Sequence, residues 1–165
     1  MAATGWFGRT AVGLLLGLLG LHSQAVQFDG IVTHVTDGDT LWVRPTDGGA
    51  PRPIRLQGID APEICQAWGT RSRDALAAFV MHQRVRIDSS AQDSWQRELG
   101  DVSLEGRDLG QWMVSQGHAW SYRFRGNPGP YATQEAQARN AGLGLWGHAA
   151  ALPPREFRRR HGSCK

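Results

Sequence analysis

From Val26 onward, short apolar stretches alternate with breaks rich in Gly, Pro and Asp. Residues 26–36 are rich in β-forming types, the Asp37-Gly38 pair is a turn signal, and extended character resumes over 40–44. Pro45 to Pro53 (PTDGGAPRP) predicts a loop. In the next strand, 54–59, Ile54, Leu56 and Gly58 share one side while Arg55 and Gln57 take the other, so Arg55 stands outside the core. A helix capped by Thr70 runs to about Met81, with Leu76, Phe79 and Val80 as its apolar stripe. Residues 84–88 (RVRID) and 99–104 supply a fourth and a fifth strand. A short helix after Asp108 turns Leu109, Trp112 and Met113 inward and stops at Gly117, and a last helix covers about 131–141, with Gly142 as its stop. This order predicts an α+β fold, a five-stranded OB-type β-barrel with about three helices. No repeat or second domain interrupts it.

The two ends read differently. Residues 1–25 carry Arg9, then an apolar run from Ala11 to Leu21, then Ser23-Gln-Ala25 with small residues where a signal peptidase reads. They are expected to be a signal peptide. The alternative is a retained membrane anchor, although the run falls short of the roughly 20 apolar residues that span a bilayer. Residues 151–165 form a basic C-terminal tail without periodicity, in which Arg158-Arg159-Arg160 could add phosphate contacts but reads more simply as solvated. The net charge of +3 permits a polyanionic partner without demanding one. Of 18 basic residues 17 are arginine; the planar fork suits phosphate, yet a GC-rich genome would produce the same excess.

Two cysteines, Cys65 and Cys164, lie in the exported part, and an even count there suggests a disulfide over two free or intermolecular thiols. Such a bridge would close a loop of about 99 residues, for which chain entropy gives on the order of 4–5 kcal/mol. It would also bring the C-terminal tail beside Pro62-Glu63.

The chemistry concentrates in two segments. Asp37-Gly38-Asp39 is by itself an ordinary hairpin turn. Asp60-Ala61-Pro62-Glu63 says more, because the proline forces Ala61 toward an extended conformation, ends the strand, and can aim the Ala61 carbonyl outward. Asp39, Asp60 and that carbonyl are hard oxygen donors suited to Ca²⁺, too few to bind it tightly without substrate. Phosphodiester hydrolysis needs a base for water and positive groups for the charge gathering on phosphoryl oxygens. Glu63, Arg55 and Arg97 offer both.

In combination these pieces identify a resemblance. Asp-Gly-Asp-Thr at 37–40, Arg-Leu-Gln-Gly-Ile-Asp-Ala-Pro-Glu at 55–63, Asp93 through Arg97, GQWMVSQGHA at 110–119, and Glu135-Ala-Gln-Ala-Arg139 leading into Gly144-Leu-Trp146 are similar to the staphylococcal nuclease-like (thermonuclease) family. The likeness spans Gly30 to Gly147, within a domain taken as 26–150. It implies an OB-fold, Ca²⁺-dependent nuclease that cleaves DNA and RNA with little sequence specificity and leaves 3′-phosphate ends. Single strands or accessible duplex would be the substrates. Carried over by position, Asp39, Asp60 and the Ala61 carbonyl would hold the metal, Glu63 would be the general base, and Arg55 and Arg97 would grip the scissile phosphate. Two departures stand out. Gln96 occupies the place before Arg97 where the family usually has glycine, and the segment from Glu63 to Trp68-Gly69, which contains Cys65, is several residues shorter than in the founding member.

Trp95, Tyr122, Tyr131 and Phe124 are candidates for stacking on bases, with the first three preferred, although aromatics in a small domain are more often core. Trp112, Trp120 and Trp146 read as structural. The six histidines show no metal-type spacing, and His118 lacks a partner for a metal-free ribonuclease. The expected protein is therefore a secreted or periplasmic monomeric nuclease, with no stable membrane association once the signal is removed. The alternative is a noncatalytic OB module that binds single-stranded nucleic acid or a protein, since barrels of this type host many functions.

Overall fold

A computed structural model describes Met1 and residues 26–147 and 151–164. Residues 2–25, which carry the expected signal peptide, lie outside the described residues.

Five strands close into a barrel: β1 (Val26–Asp37), β2 (Thr40–Pro45), β3 (Arg52–Leu56), β5 (Arg84–Gln92) and β6 (Glu98–Leu104). Their order is β3-β2-β1-β5-β6, and a parallel β3–β6 pairing seals the seam. Two short elements, β4 (Ile59–Asp60) and β8 (Trp120–Ser121), pair outside it, and β7 (Arg107–Asp108) extends β6. β1 serves two neighbours because it is long and irregular: its register against β2 shifts between Val32 and His34 and again between Val35 and Asp37, which bends it around the barrel. The predicted third strand is split. It ends at Leu56, Gly58 adopts φ 78°, and the chain turns before β4.

The alternation in the sequence becomes the core. Val32, Leu41, Val43, Ile54, Leu56 and Ile87 point inward and are buried, and α1 (Gly69–Val80) and α2 (Leu109–Ser115) close the barrel with Leu76, Val80, Leu109 and Met113. Each such side chain contributes about 1.5–3 kcal/mol on burial. Asp108 caps α2 by accepting from the Gln111 N–H at 2.9 Å. Thr70 does not cap α1. The helix starts at Gly69, with Trp68 at φ 73° in the cap position and no side-chain cap, and residue 69 has room for glycine alone, since a Cβ there would meet the Glu63 carbonyl oxygen at 2.0 Å. α3 (Ala132–Asn140) stops where expected, with Gly142 at φ 62°. A 3₁₀ turn over Gly144–Gly147 follows.

The largest departure is at the C-terminus. The stretch expected to be a solvated tail contains a helix, α4 (Pro154–His161), the fourth α-helix among the described residues. Proline begins it, Glu156 occupies its first turn, Arg158, Arg159, Arg160 and His161 fill its last, and Gly162 ends it. That charge order suits the helix dipole, and Glu156 pairs with Arg159 and Arg160 one turn on. Capping signals, rather than an apolar stripe, were the legible sign of this helix.

Candidate active site

The β1–β2 turn supplies the first carboxylates. Gly38 is required there for space, since a Cβ would lie 1.9 Å from Ser72 Oγ on α1 and 2.8 Å from the Ala61 Cβ. The turn is thereby clamped between the helix and the β4 segment. Asp37 Oδ1 accepts the Asp39 N–H at 3.0 Å, and Asp39 points its carboxylate toward β4, where Oδ2 accepts the Ala61 N–H at 2.9 Å. Across the sheet Thr40 pairs with Arg55, which places that guanidinium over the turn. Arg55 donates to Asp39 at 2.6 Å and to Asp60 at 3.3 Å. Arg97 immediately precedes β6, whose closure onto β3 sets Leu99 beside Arg55. It is held by Asp93 at 2.7 Å and reaches Thr40 Oγ1 at 3.3 Å, while Thr40 in turn donates to Asp39 at 3.0 Å.

Glu63 sits on a tight turn. Its carbonyl accepts the Gln66 N–H at 2.8 Å, and its own N–H donates to Gln66 Oε1 at 3.2 Å. The Gln66 amide then donates to the Leu152 carbonyl at 2.6 Å, and Cys65 is disulfide-bonded to Cys164 with Cα atoms 5.8 Å apart. The C-terminal segment is thus strapped to the turn that carries Glu63. From α4, Arg158 donates to Glu63 at 2.7 Å and to both oxygens of Asp60, at 3.3 and 3.4 Å.

The proposed metal ligands, base and phosphate forks therefore lie on one continuous chain of polar contacts, from Arg97 through Thr40, Asp39, Arg55, Asp60 and Arg158 to Glu63. Sequence reasoning missed Arg158, read as part of a solvated tail. The signal that could have found it was the cysteine pair, which required the tail to lie near Glu63.

The electrostatics favour a cation. Burial and the neighbouring Asp39 charge push the Asp37 carboxyl up to about 7. Burial and Asp39 likewise raise Asp60, against the opposing pull of Arg158 and Arg55. Asp37, Asp39 and Asp60 are thus crowded enough that ionising them together is costly, a cost that a bound cation would relieve. No three acidic, histidine or cysteine side chains converge as a ligand set among the described residues. A hard cation taken by Asp39, Asp60 and the adjacent Ala61 backbone fits this oxygen-only donor set and would complete its shell with water and substrate.

The aromatic candidates separate. Trp95 is 74% exposed with the Arg97 guanidinium 5.3 Å from its ring, and Tyr122 and Phe124 are also exposed, along a groove with Asn127, Gly129 and Pro130. Tyr131 does not join them. It is buried against the core and its hydroxyl donates to Asp108 at 2.9 Å, so it is a packing residue and not a surface for stacking. Trp112 stacks on Phe79, and Trp120 meets Trp146 edge-on, as structural residues. Gln96 takes φ 62°, the left-handed conformation that glycine adopts without penalty and that costs a residue with a side chain.

Residues 53–148 match the model of the family described as staphylococcal nuclease homologue. Among curated proteins, this chain is 37% identical over 156 residues to protein ParB of Escherichia coli, covering 87% of each chain. It is 34% identical over 143 residues to the micrococcal nuclease of Shigella flexneri, covering 80% of this chain and 81% of that one. An uncharacterized endonuclease of Haemophilus influenzae is 34% identical over 129 residues, covering 78% of this chain and 72% of the relative.

Proposed function

This chain belongs to the staphylococcal nuclease family and is a nuclease, and from that premise we propose that it is an exported, Ca²⁺-dependent phosphodiesterase. Its substrates are DNA and RNA, single-stranded or in accessible duplex, cut with little sequence specificity to leave 3′-phosphate ends. The observation that carries this reading is the single polar network joining Asp39, Asp60, Glu63, Arg55 and Arg97.

Glu63 takes a proton from water as the water oxygen bonds to phosphorus, a role that typically contributes 10²–10⁴-fold. The P–O5′ bond breaks on the opposite side, and the leaving oxygen takes its proton from solvent. Arg55 and Arg97 donate hydrogen bonds to the equatorial oxygens of the pentacoordinate transition state, and guanidiniums do so without losing protons. Ca²⁺ at Asp39, Asp60 and the Ala61 carbonyl would polarise a phosphoryl oxygen as a Lewis acid. Trp95 and Tyr122 offer faces on which bases stack whatever their identity, in keeping with low sequence specificity. Export is supported by the apolar run at 11–21 with its following small residues and by the Cys65–Cys164 bridge, which persists in oxidising compartments. We take the working form to be a monomer.

The test is hydrolysis of a fluorescent single-stranded DNA in Ca²⁺ and in excess chelator, with Glu63→Gln alongside. Cleavage abolished by chelator and reduced about 10²–10⁴-fold in the variant is expected. Undiminished turnover in Glu63→Gln would remove the assigned mechanism, and binding without cleavage by the unaltered chain would leave a noncatalytic module.

A further inference from the structure

Nothing in the assigned chemistry requires Arg158, yet it occupies the middle of the site. Its guanidinium is the donor nearest Glu63 and takes both oxygens of Asp60. It does not arrive there on a free tail. α4 begins beside Leu152, whose carbonyl is tied to Gln66, and ends just before Cys164, which is bonded to Cys65. Both anchors lie on the turn that bears Glu63, so Arg158 is held at high effective concentration next to its partners.

Arg158 and a divalent cation compete for the same atoms. A Ca²⁺ ion sits about 2.3–2.6 Å from a carboxylate oxygen. With Arg158 nitrogens already 3.3 and 3.4 Å from the two Asp60 oxygens, an ion on Asp60 would stand close to a fixed positive charge. The guanidinium stays charged, because arginine does not lose its proton under conditions in which the protein is folded. The same contact also engages Glu63, the group required to take a proton from water.

We propose that Arg158 is a tethered counter-cation that neutralises Asp60 and Glu63 in the metal-free enzyme and must be displaced when the divalent cation binds. This inference rests on the assignment of Asp60 to the cation site and Glu63 to the base. Displacement clears Asp60 and frees Glu63 in one event, so cation binding and readiness of the base are coupled. The coupling is reciprocal: whatever loosens Arg158 tightens the cation. The anchors return the arginine when the cation leaves.

The experiment is a calorimetric Ca²⁺ titration of the purified oxidised chain without nucleic acid, carried to on the order of 10 mM Ca²⁺ because a site with so few protein ligands is weak, and comparing Arg158→Gln, Arg158→Lys and Asp60→Asn. Arg158→Gln is expected to bind Ca²⁺ roughly tenfold more tightly, the scale of one or two partly buried ion pairs released from competition. Arg158→Lys keeps the charge and should stay near the unaltered affinity, which separates competition from mere loosening of α4. A Cys65→Ser/Cys164→Ser chain, untethered, should shift in the direction of Arg158→Gln. Asp60→Asn should lose Ca²⁺ binding. If Asp60→Asn loses the cation but Arg158→Gln binds it no more tightly than the unaltered chain, the counter-cation is refuted and the nuclease assignment stands. If Asp60→Asn binds Ca²⁺ unchanged, or no chain binds it, the cation assignment fails and the inference fails with it.

Discussion

Glu135 offers a sharp test of how the site is supported from behind. It lies on α3 with only 1% of its surface exposed, yet it touches no part of the reaction centre. One oxygen accepts the Ser121 N–H at 2.9 Å, and the other accepts from Arg123 at 2.6 Å and Arg139 at 2.8 Å. Ser121 belongs to β8, which pairs with β4 so that Trp120 lies opposite Asp60. Glu135 therefore pins the strand that backs a proposed metal ligand. In Glu135→Ala the buried Ser121 N–H loses its acceptor, costing about 1–3 kcal/mol. Loss of the methylene and the space it leaves adds about 1 kcal/mol. The arginines are half exposed, so their two pairs add only about 0–1 kcal/mol each. The sum is about 2–6 kcal/mol. Glu135→Gln keeps the shape and one acceptor oxygen, and should cost about 1–2 kcal/mol. Urea unfolding at pH 7, followed by tryptophan fluorescence with the slope held common, reads both values. A cost below about 1 kcal/mol for alanine would refute the reasoning, as would glutamine proving as costly as alanine.

Two further outcomes follow from particular side chains. Burial lowers the pKa of His118 below 6.5, so the folded chain binds fewer protons there than the unfolded one, and the stability due to this group falls as pH drops below 6.5. His118→Asn, which retains an acceptor for the Trp68 indole N–H, should shrink that fall when its melting temperature is compared with that of the unaltered chain between pH 7.5 and 5.5; parallel profiles would exclude His118 as the cause. Trp95→Ala should weaken single-stranded DNA binding by about 1–3 kcal/mol without altering the melting temperature, whereas Tyr131→Phe should cost about 1 kcal/mol of stability and leave binding intact. Fluorescence anisotropy and thermal melts separate the two, and a reversed pattern would exchange their roles.

Much of this protein was legible locally. Alternation along 54–56 and 84–88 specified which side chains face the core, and the Asp-Gly turn and the Asp60-Ala-Pro-Glu63 break specified where carboxylates leave the strands. These are properties of a few neighbouring residues, set by strand period and by what glycine and proline permit. The cysteine pair carried one long-range fact as well, that the C-terminus returns to Glu63.

Tertiary structure decided the rest, because it concerned partners far apart in sequence. Gly38 reads as a turn former, but its requirement comes from the approach of Ser72 and Ala61. Tyr131 and Tyr122 look equivalent in sequence, and only the docking of α3 buries one and leaves the other exposed. Arg158 stands 95 residues from Glu63, in a segment without apolar periodicity. Its place depends on a helix held together by charge and capping and aimed by a disulfide, so no local pattern of hydrophobic positions could reveal it.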